Sequence, residues 1–240
     1  MNTNYTDKAT NEEIRTRFDN DVERFSNLDT GQATTIDAPL TMELCTEAAK
    51  YINPNAKNLL DIGCGAGNYT LKMLSKISNL NCTLNDLSMS MLERAKERVS
   101  KQTNGEVSII QDDMRNLNLP DNHFDIILAA ATFHHLREDA DWENVFSKLY
   151  KTLKPGGSLW ISDLIAHDTE PLNRLFQQRY SDYLDILGGP EYRQKVLDYV
   201  AHEDTPRSVN YQMDLLKKVG FTYVEILHKN SYFAAFGGIK

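Results

Sequence analysis

Three glycines in five positions, Gly63, Gly65 and Gly67, follow the apolar run Leu59-Leu60 with Asp61 between. A turn of this kind at the end of a strand presents backbone amides to an anion, and a helix entered just beyond it adds its own N-terminal amides. Two ligand chemistries suit such a turn: the pyrophosphate of a dinucleotide, or the amino-acid end of S-adenosylmethionine. The dinucleotide fingerprint G-x-G-x-x-G needs its third glycine at 68, where the chain has Asn68. Asp61 also argues against a pyrophosphate, because an anion beside a carboxylate costs Coulomb energy in a partly dry crevice. An ammonium and a sulfonium in the same place turn that carboxylate into a favourable neighbour. Asp61 alone has a plainer explanation, a turn-forming aspartate that satisfies nearby amides. Cys64, inside the turn, reads most simply as a small residue filling a tight space.

Further candidates follow at strand ends. Short apolar runs, "NLLDI", "NCTLND", "VSIIQ", "FDIILAA" and "GSLWISDL", alternate with helical patterns such as "MSMLERAKERVSKQ" and "WENVFSKLYKTL". That alternation predicts βαβ units and an α/β fold with a doubly wound, mostly parallel sheet. Ligands in such sheets gather at the carboxyl ends of the strands, which places Asp61, Asp86, Asp113, Thr132 to His135 and Asp163 beside one crevice. His134 and His135 are the candidate catalytic bases, with His167 just beyond the fifth strand, since imidazole titrates near neutral pH. The plainer alternative is that one of the adjacent pair packs at the strand end while the other is solvated or caps a helix. No metal is expected, because adjacent histidines do not easily converge on one ion and no H-x-x-x-H or cysteine partner accompanies them.

In this order and spacing the motifs resemble those of the class I S-adenosylmethionine-dependent methyltransferases, over roughly Leu59 to Leu164. "LLDIGCGAGNYT" is similar to the first motif, which implies cofactor contacts from Asp61, Gly63, Cys64, Gly65 and Gly67. "LNDLSMSMLERAKERV" is similar to the second, which implies that Asp86 accepts from both ribose hydroxyls while Leu87 packs on adenine. "IIQDDMRNLNL" is similar to the third, with Asp113 taking the adenine amine and Met114 lining the base. "FDIILAAATFHHL", with Ala130 at its strand end, and "LKPGGSLWISDL" are similar to the fourth and fifth. Plainer readings stand beside these roles. Asp86 can be a residue of the helix N-cap region before Ser88, and Asp112 replaces Asp113 if the register slips by one.

The resemblance implies a Rossmann-like sheet of seven strands with a C-terminal antiparallel hairpin, S-adenosyl-L-methionine as cofactor, and in-line methyl transfer. The pair Tyr150 and Lys154 spells Y-x-x-x-K, a dehydrogenase signature, but it abuts Pro155-Gly156-Gly157 and lacks a suitably placed serine, so it is read as chance. No [DN]-P-P-[YF] sequence and no Pro-Cys nucleophile occur. A formal charge of −8 also argues against DNA, since nucleic-acid affinity comes largely from clustered Lys and Arg. A small molecule is the expected acceptor. A second resemblance, to the carboxy-S-adenosylmethionine synthases of tRNA wobble uridine modification, rests on the helical insertion and the Gly-Phe hairpin, although "GCGAGN" departs from their glycine motif. A protein that binds the cofactor without transferring its methyl group is the non-enzymatic alternative, and a crevice with room for an acceptor discriminates against it.

The remaining elements must frame this site. At 240 residues, with 41% hydrophobic and 25% charged residues, the chain reads as one methyltransferase domain, residues 1–240. Ile14, Phe18, Val22 and Phe25 fall at helical spacing, "SNLDTGQATTID" reads as a loop, and Pro39 opens a helix with Leu40, Leu44, Ala48 and Ile52 along one face. Residues 1–56 are therefore read as an N-terminal helical lid.

Between Asp163 and Leu215, ten acidic residues against five basic leave a net of −5. Residues 165–205 within this span read as a helical insertion capping the substrate. Its Tyr180, Tyr183, Tyr192 and Tyr199 are expected in core more than pocket, and Arg179 and Arg207 are candidates for an acidic acceptor. A helix "SVNYQMDLLKKVG" follows, ended by Gly220, then a hairpin turning at Lys229-Asn230. Three cysteines without a C-x-x-C pair suit reduced thiols. The polar start of the chain and the lack of any run near 18 apolar residues predict a cytoplasmic protein without a membrane span. A homodimer is compatible with the sequence, though no residue argues for it.

Overall fold

The computed structural model describes residues 7–240, so the first six residues of the expected 1–56 lid lie outside it. Five parallel strands, β1 (Asn58–Ile62), β2 (Asn81–Asp86), β3 (Val107–Gln111), β4 (Phe124–Ala130) and β5 (Leu153–Leu164), are joined by β6 (Tyr223–Asn230) and β7 (Phe233–Ile239). Their order is β3-β2-β1-β4-β5-β7-β6, with β7 antiparallel to both neighbours. This is the α/β, doubly wound sheet that the alternation predicts, with the seven strands and terminal hairpin that the resemblance implies. β1 lies inside it, paired with β2 and β4, and Leu59, Leu60, Asp61 and Ile62 are all buried, as expected for a strand covered on both faces. The order reverses between β1 and β4, so the crevice at their carboxyl ends is the natural ligand site.

Local signals explain most helix boundaries. Ser88 caps α6 (Met89–Ser100) by accepting from the Met91 amide, and Ser208 does the same for α9 (Val209–Val219) through the Tyr211 amide. Gly220 ends α9 at φ 119°, a left-handed C-cap. Glu138 and Asp141 make a reciprocal capping box at the start of α7 (Asp139–Thr152). α5 (Asn68–Leu74) begins directly on Gly67. The insertion is a helical stretch, α8 (Glu170–Glu203), that is broken at Gly189, where φ is 79° and ψ −178°, and restarts at Pro190.

Four local expectations change. The first amphipathic segment divides into α1 (Asn11–Asp19) and α2 (Val22–Ser26), because Asp21 stands at the junction, accepting from Arg24 of the next turn. Within the expected loop, Leu28–Gly31 forms a one-turn helix, α3.

α4 (Ala38–Ile52) buries Ala38, Thr41, Met42, Cys45, Thr46 and Ala49, whereas Leu40 and Ile52 are exposed. The small residues of the buried face let α4 lie close on β5, where Cys45 Sγ reaches the Ile161 carbonyl and Ser162 meets Thr41. The hairpin turns at Ser231-Tyr232, not at Lys229-Asn230, which pair with Ala234 and Phe233. Ser231 takes φ 53°, and Asn230 is held in the strand by its side-chain bond to Asp37.

Candidate functional site

The first crevice opens at the carboxyl ends of β1, β2, β3 and β4, and all the predicted cofactor residues but one line it: Asp61, Gly63, Cys64, Gly65, Asp86, Leu87, Asp113, Met114 and Ala130; Gly67 does not, facing Ala95 and Val99 of α6 instead. It encloses about 1250 Å³, part of it open to solvent. The glycine turn is built from left-handed backbone at Gly63 (φ 61°), Gly65 (φ 50°) and Gly67 (φ 83°). A Cβ on Gly63 would stand 2.1 Å from Thr132 Oγ1, so this position admits no side chain. At Gly65 the same atom would meet nothing within 4 Å, which leaves open space on the crevice side.

Asp61 is 1% exposed, and Thr70 Oγ1 donates to its Oδ2 at 2.6 Å. Burial pushes its carboxyl up to about 7, only partly offset by that bond. Asp86 accepts from the Gly65 amide at 2.8 Å and from the Ser88 amide at 2.9 Å, so it ties the glycine turn to the start of α6. Its carboxyl is raised by burial against those bonds. The Cys64 thiol is held well above its ordinary value by burial and by Asp86 and Asp61, which keeps it a packing group.

Asp113 is already saturated. Its two oxygens take the Arg115 amide, both ends of the Arg115 guanidinium and the Asn11 amide group. Asp112, beside it on the crevice, accepts from the Asp113 amide at 2.8 Å.

A second crevice of about 710 Å³ adjoins the first, lined by Arg17, Arg24, Tyr180, Tyr199, Phe233 and the acid-imidazole group around His134. Seven residues belong to both: Phe18, Phe25, Gly31, Thr35, Ala131, His135 and Ser162. His135 is the one titratable side chain among the seven.

The predicted bases separate. His134 lines only the second crevice, and its Nδ1 lies 2.5 Å from Asp163 Oδ1. Burial opposes charge on this ring, but Asp204 and Asp163 outweigh it and raise it to about 9. His135 is lowered well below its ordinary value by burial and by the charge of its neighbour. Adjacent histidines do converge here: the single 3₁₀ turn Phe133–His135 sets the rings 4.3 Å apart, and with Asp204 they place three ligand-capable atoms within 4.8 Å of one another. The spacing argument against a metal therefore fails.

Other candidates fall elsewhere. His167 stacks on Phe176, and Arg207 pairs with Asp139; with Arg179, which is exposed, they line neither crevice. Tyr150 packs on Phe221 and Lys154 pairs with Asp125, so the Y-x-x-x-K match is chance. Tyr180 and Tyr199 line the second crevice, while Tyr183 and Tyr192 pack in the cluster behind it. Asp204, Arg17, Arg24, Arg115 and Asn11 escape sequence reasoning. Arg115 falls inside the third motif but has no role assigned by it, and the others sit in stretches without a motif, brought to a crevice by the chain's long-range packing.

Residues 59–157 match the family model described as a methyltransferase domain. The chain is 28% identical over 200 residues to carboxy-S-adenosyl-L-methionine synthase of Shewanella loihica, covering 80% of this chain and 79% of that one. It is 27% identical over 205 residues to malonyl-[acyl-carrier protein] O-methyltransferase of Calditerrivibrio nitroreducens, covering 82% and 76%. Among solved structures, an S-adenosylmethionine-dependent methyltransferase of Aquifex aeolicus superposes with a TM-score of 0.59 at 18% identity, over 92% of this chain and 97% of that one.

Sheet order, glycine turn and family match define a class I S-adenosylmethionine-dependent methyltransferase domain. The protein is an enzyme of that type, with S-adenosyl-L-methionine as its cofactor and a more distant likeness to the carboxy-S-adenosylmethionine synthases. The residues present fit a cationic, amide-binding cofactor: the crevice offers open space at Gly65, a buried carboxylate at Asp61 and a strand-end carboxylate at Asp86. Among the described residues no helix is long and apolar enough to cross a membrane.

Proposed function

We propose that the protein transfers a methyl group to a small-molecule acceptor seated in the second crevice. The observation that carries this reading is the continuity of the two crevices through His135, Ala131 and Ser162, which gives an acceptor room beside the cofactor and argues against a mere binder. Bound S-adenosylmethionine supplies an electrophilic methyl group on a sulfonium. The chain's task is orientation, which can contribute about 7 to 11 kcal/mol when the reacting atoms are held in line.

In this reading the turn from Gly63 to Gly67 offers amides to the ligand's carboxylate, and Asp61 faces its ammonium. Asp86 accepts from the ribose hydroxyls, Leu87 and Met114 sandwich the adenine, and Cys64 and Ala130 complete the wall. Because Asp113 is saturated by Arg115 and Asn11, Asp112 is the better placed acceptor for the adenine amine unless that cluster opens. His135, facing both crevices, takes the acceptor's proton where the acceptor has one to lose. Of the expected 1–56 lid, residues 7–37 serve as the lid, since α4 is packed on β5, and 165–205 serve as the cap. The three free, buried thiols support a reducing, cytoplasmic setting.

The test is transfer of labelled methyl from S-adenosylmethionine into a cell extract, separated by size. Label in the low-molecular-weight fraction supports the proposal, and label confined to protein or RNA overturns it. The likeness to carboxy-S-adenosylmethionine synthase over four-fifths of the chain keeps that activity as the second reading. Mass spectrometry of ligand released from denatured protein decides it: a carboxylated cofactor establishes the synthase, and plain S-adenosylmethionine or its homocysteine product removes it.

A further inference from the structure

We propose that His134, His135 and Asp204 form a binding site for one divalent transition-metal ion of the zinc type, opening onto the second crevice. Asp204 Oδ1 lies 3.6 Å from His134 Nε2 and 3.3 Å from His135 Nδ1. A tetrahedral ion with bonds of about 2.0 to 2.2 Å holds neighbouring ligand atoms roughly 3.3 Å apart, so two of the three edges already have that size. The third closes by rotating imidazoles whose centroids are 4.3 Å apart.

Two independent features point to a ligand. The His135 Nδ1 atom is buried and has no hydrogen-bond partner, although a carboxylate oxygen stands 3.3 Å away: it is near a partner but not aimed at it. His134 Nδ1, in contrast, is fixed at 2.5 Å from Asp163, whose oxygens also take the Phe133 amide at 2.8 Å and the Leu164 amide at 2.7 Å. A carboxylate that fixes one imidazole nitrogen and directs the other at a common point is the outer-shell arrangement that orients histidine ligands of metals. Asp163 is then a positioning residue and not a ligand. Of the neighbouring cations, Arg17 is engaged with Glu203 at 2.5 Å and Lys8 donates to the Asp204 backbone carbonyl at 2.7 Å and not to its carboxylate.

Three protein ligands leave one coordination position, and all three line the second crevice, so that position faces whatever occupies it. An oxygen- or nitrogen-bearing molecule bound there loses its proton more easily, the task that otherwise falls to His135. The site is independent of which reaction the first crevice supports.

The test uses the untagged full chain, stripped with chelator and dialysed, then titrated with cobalt(II) and followed by visible absorption. The expected result is tetrahedral cobalt bands saturating at about one equivalent, displaced by zinc, with a thermal midpoint raised by zinc alone. His135→Gln and Asp204→Asn, checked for wild-type circular dichroism, lose the bands, and Asp163→Asn weakens binding by about 10- to 100-fold. Absence of bands and of any zinc-induced thermal shift in the wild type overturns the proposal, as do bands unchanged in both ligand variants. Calorimetry with S-adenosylmethionine on the same metal-free samples separates this outcome from failure of the cofactor site.

Discussion

The two crevices share a wall but are built differently. The first is centred on one local segment, in which Asp61 and Thr70 lie nine positions apart and the turn between them sets the backbone, with the ends of β2, β3 and β4 and the helix α1 closing around it. The second gathers Arg17, His134, Tyr180 and Asp204 from four distant segments, and its polar groups meet through contacts such as Arg17 with Glu203 and the Asp204 carboxylate with His135. A cofactor common to many enzymes can be held by a compact local motif. An acceptor particular to one enzyme is met by residues that only the finished fold assembles.

This contrast can be broken in order of expected effect. The largest loss is predicted for Gly63→Ala, where left-handed strain of about 1 to 3 kcal/mol joins a clash with Thr132. Calorimetry should detect no cofactor binding, and a near-normal affinity would mean the turn is not the cofactor's cradle. Next comes Asp86→Ala, expected to weaken cofactor affinity more than tenfold, in line with about 1.5 to 3 kcal/mol for a charge-assisted hydrogen bond. An unchanged Kd would leave Asp86 as only the strut between Gly65 and Ser88.

A moderate effect is expected from pH. With its carboxyl raised by burial to about 7, Asp61 is protonated at lower pH and cannot pair with an ammonium. Cofactor affinity should therefore rise as pH climbs toward about 7, with proton release on binding, and the slope should vanish in Asp61→Asn. The same raised value means that ionising Asp61 costs folding stability, so in the cofactor-free protein Asp61→Asn should raise the thermal midpoint at pH 8 relative to wild type. Smallest of all is the predicted change in cofactor Kd for Tyr180→Phe or Tyr199→Phe, within roughly twofold, because these residues line the second crevice and not the first. A tenfold loss would dissolve the distinction between the crevices.

Legibility in the sequence follows the same division. Strand alternation, Ser88 and Ser208 as caps, Gly220 as a stop and the glycine turn are local signals, and the sheet and first crevice follow from them. α4 misled because its buried face is written in Thr41, Cys45 and Ala49 and not in the larger Leu40 and Ile52. Close approach to a sheet selects small residues, which hydropathy alone undervalues. The pairing of His134 and His135 with Asp204 was invisible because it joins positions about seventy residues apart across α8.

α1 touches both walls. Asn11 donates to Asp113 on the cofactor side, while Ala9, just before the helix, donates its amide to the His202 carbonyl and Arg17 pairs with Glu203 at the end of α8. A ligand that steadies this segment from one crevice lowers the cost of steadying it for the other, and thermodynamic reciprocity makes the benefit equal in both directions. On the proposed reading, whatever factor the cofactor adds to acceptor affinity, the acceptor returns to the cofactor.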